Sequence, residues 1–343
     1  MLNAQPLWDW INERHAIYIR KELRAGADVP DLHIPDPDGN VRYDLEAADP
    51  LMFAASPEGH HYSGDLIFQT YRFCNVFREL DRVTVWIRKN IREPFEDHEH
   101  LWFMLCIARI LNWPPTLQEL METEGAWPSH AGFKPENMTT VLDNRKARGD
   151  KVYTGAYMIR AESKSHPFGH WTKQRYVAEI VLGRLWDDRD IWHHNVEGLD
   201  QDEGANPLNW QPGLQEIWEI FQHSEYRGWG PFMAYEVVTD LRHTRYLNEA
   251  ADIMDWANAG PGAKRGLNRL QGRELKQPMS QMQANDEMYM LLSLSKLPGN
   301  LAPWVPPLEM RDIEHSLCET DKYLRVKLKQ GRPRAKYVQG RGY

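Results

Sequence analysis

Residues 71–82, YRFCNVFRELDR, are the densest run of chemically capable side chains in the sequence. Wound at 100° per residue, they predict a helix over 65–91. Phe73, Phe77, Leu80, Thr84 and Ile87 then form one apolar stripe. Arg72, Asn75, Glu79, Arg82 and Trp86 form a second stripe, roughly opposite, with Arg78 and Asp81 beside it. Guanidinium forks bind phosphate bidentately, a carboxylate takes a proton and an indole stacks on a base. A solvated face held by i,i+3 and i,i+4 ion pairs, each worth roughly a few tenths of a kcal/mol, is the plainer reading of the same charges. An Asn and a Trp are weak helix formers, and their presence on that face favours function.

A second group lies near the C-terminus. Glu314, Cys318, Asp321 and Arg325 share one face at 4-3-4 spacing, with Glu319, Lys322 and Tyr323 nearby. The carboxylates suit bases or metal ligands, while ordinary salt bridges explain any one of them. Cys318 has no assignable His partner, so a small buried thiol is the better reading. His193 and His194 are adjacent; on a helix they point about 100° apart and do not converge on a metal. No metal-ligand set stands out.

Two glycine clusters offer seats for phosphate. Arg227-Gly228-Trp229-Gly230-Pro231 separates helical segments expected at 213–222 and 231–243. Glycines one residue apart permit positive φ in a tight hairpin, and Pro231 suits a first helical position. Amides exposed there would grip DNA backbone without reading sequence, as a helix–hairpin–helix does. A plain helix–helix turn is the alternative. Gly260-Pro261-Gly262-Ala263-Lys264-Arg265-Gly266 carries two cations. It reads either as a phosphate-binding turn or as a C-cap before a new helix.

The elements that must position these groups are helical, with no series of alternating strands. Pro6 opens a first helix containing Leu7, Trp8, Ile11, Ile19 and Leu23, and turn residues 35–40 mark a loop at 28–50. Helices are expected at 101–111, after the capping box Thr116-Leu117-Gln118-Glu119, and at 135–146 and 171–186. More follow at 249–257, 264–270, 282–294 and 308–328. The acidic stretch 187–207 reads as a surface loop. The expected organisation is an N-terminal helix and loop (1–63), a helical catalytic domain (64–330, with 187–207 as its one internal boundary) and a basic flexible tail (331–343).

Composition narrows the class. The 343 residues are 42% hydrophobic and 26% charged, an ordinary soluble balance. No apolar run approaches the ~18 residues of a membrane span, and the N-terminus lacks the order of a secretory signal. Three separated cysteines, Cys74, Cys106 and Cys318, fit a reducing compartment and a cytoplasmic location. The absence of GxxxxGK[ST] argues against a self-contained P-loop kinase. Net charge is −8, but residues 322–343 hold eight cations and no acid; removing that +8 leaves −16 on residues 1–321. Such a tail suits a polyanion, or is simply a solvated terminus. Fourteen Trp mean either a heavy core or stacking surfaces.

Four blocks carry a resemblance: 71–82, Gly228–Asp240 (GWGPFMAYEVVTD), Gly260–Leu270 (GPGAKRGLNRL) and Asp312–Arg325 (DIEHSLCETDKYLR). In that order, over about 64–326, they resemble the alpha-glutamyl/putrescinyl thymine pyrophosphorylase family. That family is closely related to the helical domain of phage 5-hydroxymethyl-deoxyuridine DNA kinases. The resemblance implies an all-α, DNA-glycosylase-like fold with a helix–hairpin–helix-like element. It implies transfer of an amino acid or polyamine amine onto pyrophosphorylated 5-hydroxymethyluracil in double-stranded DNA, displacing pyrophosphate. For that reaction a cationic pocket is needed, and Arg72, Arg78 and Arg82, with Lys264 and Arg265, would stabilise the departing pyrophosphate. Glu79 or Asp81, then Glu319 or Asp321, would accept the proton. Trp86, Trp229 or Tyr235 would hold a flipped base and Asn75 the uracil edge. Gly228, Gly230 and Asp240, with Lys322, Tyr323 and Arg325, fall in the DNA-binding blocks. No cofactor is required; magnesium would suit a pyrophosphate. Two other readings stand beside it: a non-catalytic DNA-binding partner of a hydroxymethyluracil DNA kinase, and a base-excising enzyme. For the latter, Asp252 and Asp255 lie at the right distance past the hairpin, but in surroundings that do not match.

Overall fold

A computed structural model describes residues 2–24, 62–155, 166–197, 211–333 and 336. The expected loop at 28–50, residues 198–207 of the acidic stretch and most of the tail lie outside the described residues. In chain order the helices are α1 (Gln5–Arg24), α2 (Leu66–Thr70), α3 (Arg82–Ile87), α4 (Leu101–Leu111), α5 (Pro114–Met121) and α6 (Pro135–Ala147). Then come α7 (Arg189–Glu197), α8 (Leu214–Ile220), α9 (Pro231–Leu241), α10 (Pro261–Leu270), α11 (Gln281–Ser295) and α12 (Met310–Lys327). Between α6 and α7, a helical run over 173–187 has a π segment, Tyr176–Leu182, in its middle. Among the described residues there are isolated bridges but no strand, so the all-α expectation holds. Nor is any described helix long and apolar enough to cross a membrane.

The chain forms two compact units, Met1–Asp81 with Met254–Tyr343, and Arg82–Ile253. In the first, α12 is the centre, packed by α1, α10 and α11. The α10–α12 approach explains the second glycine cluster. A Cβ at Gly262 would overlap the Cys318 thiol, and one at Gly266 would lie 2.6 Å from the Leu317 carbonyl oxygen. Small residues four apart let the two backbones meet, so Gly262 and Gly266 form a packing seam. Gly266→Ala is expected to destabilise the fold by about 1–3 kcal/mol, read from urea melts, because backbone must move. Gly260→Ala, whose Cβ would meet nothing nearer than 3.6 Å, is the control and should cost about 0.5 kcal/mol or less.

In the second unit, every residue of α4 (LWFMLCIARIL) is buried. A helix apolar all round belongs in a core, and α4 packs against α5 and α9. Trp192 stacks on Trp102 at 5.4 Å and meets Phe221 at 4.4 Å, and Phe221 meets Trp229 at 4.9 Å. Among the described residues eight Trp are buried and none is exposed. The tryptophan wealth therefore builds core, not open stacking surface.

Four expected elements differ. Residues 65–91 are not one helix: α2 ends at Thr70, residues 71–77 run largely extended, and a 3-10 turn at Arg78–Leu80 precedes α3. Asn75 supplies the reason. Its backbone N–H and Nδ2 both donate to Asp81 Oδ1, at 2.9 and 3.1 Å, and Nδ2 donates to the Leu80 carbonyl at 2.7 Å. Such local bonds compete with the helical ladder. The apolar stripe is nonetheless buried throughout. The stretch 187–207 contains α7, because Trp192 anchors it in the core. Residues 249–257 form turns; the Asp252 carboxylate accepts from the N–H groups of Leu214 and Gln215 and caps α8 instead. Thr116 does not open a capping box: α5 starts at Pro114, and the buried Thr116 hydroxyl donates to the Val152 carbonyl at 2.9 Å.

Candidate functional site

The first unit lays the irregular segment 71–81 against α12. Arg14 of α1 donates from Nε to the Cys74 carbonyl at 2.8 Å, and the Cys74 N–H donates to Glu319 at 3.0 Å. Glu319 also receives Lys322 at 2.6 Å, and the Lys322 ammonium sits 4.8 Å above the Phe73 ring. The Asn75 bonds described above close the loop, leaving Asn75 Oδ1 buried without a hydrogen-bond partner. Within this frame ligand atoms of Cys74, Asp81 and His315 all lie within 4.8 Å of one another. Gly260 N–H donates to Glu314 one residue before His315, at 3.2 Å.

Burial dominates the electrostatics. It raises the Asp81 carboxyl above its ordinary range against the opposing pull of the Asn75 N–H, Arg78 and Arg14. It pushes Glu314 up to about 7, opposed by Gly260, Arg78 and Arg311. His315 is driven down to about 3 by burial and then by Arg78, Arg311 and Lys322, so its ring is neutral. Burial, then Glu319 and Asp81, holds the Cys74 thiol well above its usual value. Arg78 is the one cation that acts on all four groups. The same unit has a cleft of about 860 Å³ whose lining includes Asp9, Glu13, Asp65, Phe68, Arg269 and Tyr323. There Tyr323 stacks on Phe68 and donates its hydroxyl to Asp65 at 2.5 Å.

The remaining expected site residues divide. In the first unit, Arg72 is exposed and Glu79 is buried. Asp321 is fully buried and held by Arg265 at 2.9 Å, Arg269 at 2.7 Å and Arg325 at 3.5 Å. Its two oxygens are committed to three guanidinium partners, which makes it a structural anchor. Lys264 donates to the Met279 carbonyl. In the second unit, Arg82 is exposed and Trp86 half-buried. Gly228 has φ +83, and a Cβ there would lie 2.8 Å from Val181. Gly230 has φ −69 and is the extended N-cap of α9, so only one of the two glycines needs its freedom. Trp229 and Tyr235 are buried, and Trp229 donates from Nε1 to the Val181 carbonyl at 3.0 Å. That indole seals core and offers no free face to a base. Asp240 is buried in a bidentate pair with Arg109. His315 and Cys74 were missed as site residues. Cys74 lies inside the densest chemical run and His315 follows Glu314, so the local signal was present, but neither side chain shows its partners until 71–81 meets α12.

The family model of the 5-hmdU DNA kinase helical domain matches residues 53–332. A 5-hmdU DNA kinase of Bacillus phage SP10 is 25% identical over 339 residues, covering 89% of this chain and 50% of that protein. The chain thus spans about half the length of the curated relative it matches. No solved structure matches.

Proposed function

The chain belongs to the 5-hmdU DNA kinase helical-domain family, and from that premise we propose that it transfers an amine onto pyrophosphorylated 5-hydroxymethyluracil in DNA. The observation that carries this reading is the convergence of Arg78, Asp81, Glu314 and His315 in one unit, inside the matched region. The amine nitrogen bonds to the 5-methylene carbon as the carbon–oxygen bond to pyrophosphate breaks. Arg78, assisted by Lys322 and Arg72, stabilises the charge on the departing pyrophosphate; magnesium would enter with that group. Glu314 takes the proton from the incoming ammonium. Its single described bond, from Gly260, leaves lone pairs for the task, whereas Glu319 holds Lys322 and Cys74. Asn75 Oδ1 accepts from a uracil N–H. The cleft with Asp9, Glu13 and Asp65 offers carboxylates to the donor amine. A glycosylase-like fold, with the Gly228 turn and the basic tail gripping the duplex, would present a base lifted from the stack.

The test is mass spectrometry of nucleosides after purified protein meets pyrophosphorylated hydroxymethyluracil DNA with amino acids and polyamines. A new amino-linked thymidine with pyrophosphate release is expected. Arg78→Ala should slow its formation by about 10²–10³-fold with helicity intact, the loss typical of one charge-stabilising donor.

A second reading is favoured by the match to the helical domain of a kinase: a helical DNA-binding partner of a hydroxymethyluracil DNA kinase. An unchanged nucleoside, with DNA binding retained and stimulation of an added kinase, would select it.

A further inference from the structure

We propose that Cys74, Asp81 and His315 form a metal site in the first unit, holding one divalent transition metal, zinc by ligand type, with a coordination position open. The donors are a thiol sulfur, an imidazole nitrogen and a carboxylate oxygen, all within 4.8 Å of one another. Zinc bonds of roughly 2.0–2.3 Å to such ligands place the donors about 3.5 Å apart in a tetrahedron. Side-chain adjustments of about an ångström reach that geometry. Sulfur and imidazole ligands favour zinc over magnesium or calcium, and three protein ligands leave the fourth position for water or substrate.

Two further observations point to a ligand. His315 Nε2 is buried with no hydrogen-bond partner, a costly arrangement unless something binds it. The ring's hydrogen bond goes to the Asn75 backbone, the outer contact that orients metal-bound imidazoles. The other two ligands are braced in the same way. Asn75 donates twice to Asp81 Oδ1, and Glu319 holds the Cys74 backbone N–H. Each donor therefore has a supporting contact from its neighbours, although the segments that supply them lie far apart in sequence.

The surrounding charge selects the occupant of the open position. Arg14, Arg78, Arg311 and Lys322 face the cluster, as do Glu314 and Glu319. With the thiolate and Asp81 ionised, the acids and cations balance, and a dication makes the site positive. An oxyanion such as a diphosphate then completes it. That last assignment rests on the proposed function; the metal site does not.

The experiment uses the full purified chain, stripped with chelator and titrated with Co²⁺, with no DNA present. One equivalent should bind and give a thiolate-to-cobalt charge-transfer band, and Zn²⁺ should displace it. X-ray absorption on the zinc form should show one sulfur at about 2.3 Å and one imidazole. Cys74→Ser should abolish the band, and His315→Ala should weaken uptake by at least about 100-fold, with circular dichroism unchanged. Uptake that is not stoichiometric, a shell without sulfur, or a band that survives Cys74→Ser would overturn the proposal. The wild-type measurements decide even if a variant misfolds. Inorganic diphosphate should perturb the cobalt spectrum; an unperturbed spectrum would refute the diphosphate assignment while leaving the metal site standing.

Discussion

Asp240→Ala is expected to cost about 3–5 kcal/mol, because it strands a buried guanidinium. Arg109 and Asp240 each keep about 1% of their side-chain surface exposed. The pair is bidentate, with Nη2 to Oδ1 at 2.6 Å, and Arg109 also donates to Thr84 at 3.0 Å. Breaking it removes a large share of the roughly 5–15 kcal/mol that holds a typical domain together. A urea melt should show the loss. The double variant Arg109→Met/Asp240→Leu should recover most of it, since an apolar pair of similar volume removes both charges from the interior. A loss near zero for Asp240→Ala would mean that water reaches the pair. Asp240 sits in a block first read as DNA-binding, and DNA affinity per folded molecule is expected to be unaffected.

Glu314→Gln is expected to lower the turnover of amine transfer by about 10²–10⁴-fold, the usual contribution of a positioned acid or base. The amide oxygen of Gln can still accept from Gly260 N–H, so the local structure should survive. The change should appear in kcat, measured from pyrophosphate release, with KM for DNA nearly constant. A parallel loss of DNA binding would instead assign Glu314 to positioning. A rate close to that of the parent protein would remove it from the chemistry.

The legible parts of the fold are those decided within one or two helical turns. The spacing of apolar residues placed α1, α4, α6, α9, α11 and α12 within a few residues, because each has a face whose burial is encoded at 3.6-residue intervals. The break inside 65–91 escaped that reading. Phe73, Phe77 and Leu80 satisfy helical spacing, yet they are equally buried from an extended segment and a 3-10 turn. Periodicity alone does not see the Asn75–Asp81 bonds that hold the alternative. Trp192 shows the same limit from the other side: an acidic, loop-like stretch becomes a helix because one indole finds Trp102 and Phe221.

The candidate site divides in the same way. Arg78, Asp81 and Glu314 were visible as chemistry-bearing types on two stretches of chain. What those stretches share was not. Cys74 meets Glu319 across 245 residues, and His315 joins Cys74 and Asp81 through no local pattern. Nor did glycine spacing reveal its purpose: Gly262 and Gly266 serve an α10–α12 contact that exists only once both helices are packed.

By itself, then, the sequence determined an all-helical chain of this family, since residue type, helical period and block order are local properties. Only tertiary structure decided which charges are locked into buried ion pairs and which are left lightly bonded. It sealed Asp240 and Asp321 among arginines and left Glu314 lightly bonded beside Arg78. The physical reason is that burial and the identity of a distant partner govern a charged group's energy, and both are set by packing rather than by neighbours along the chain.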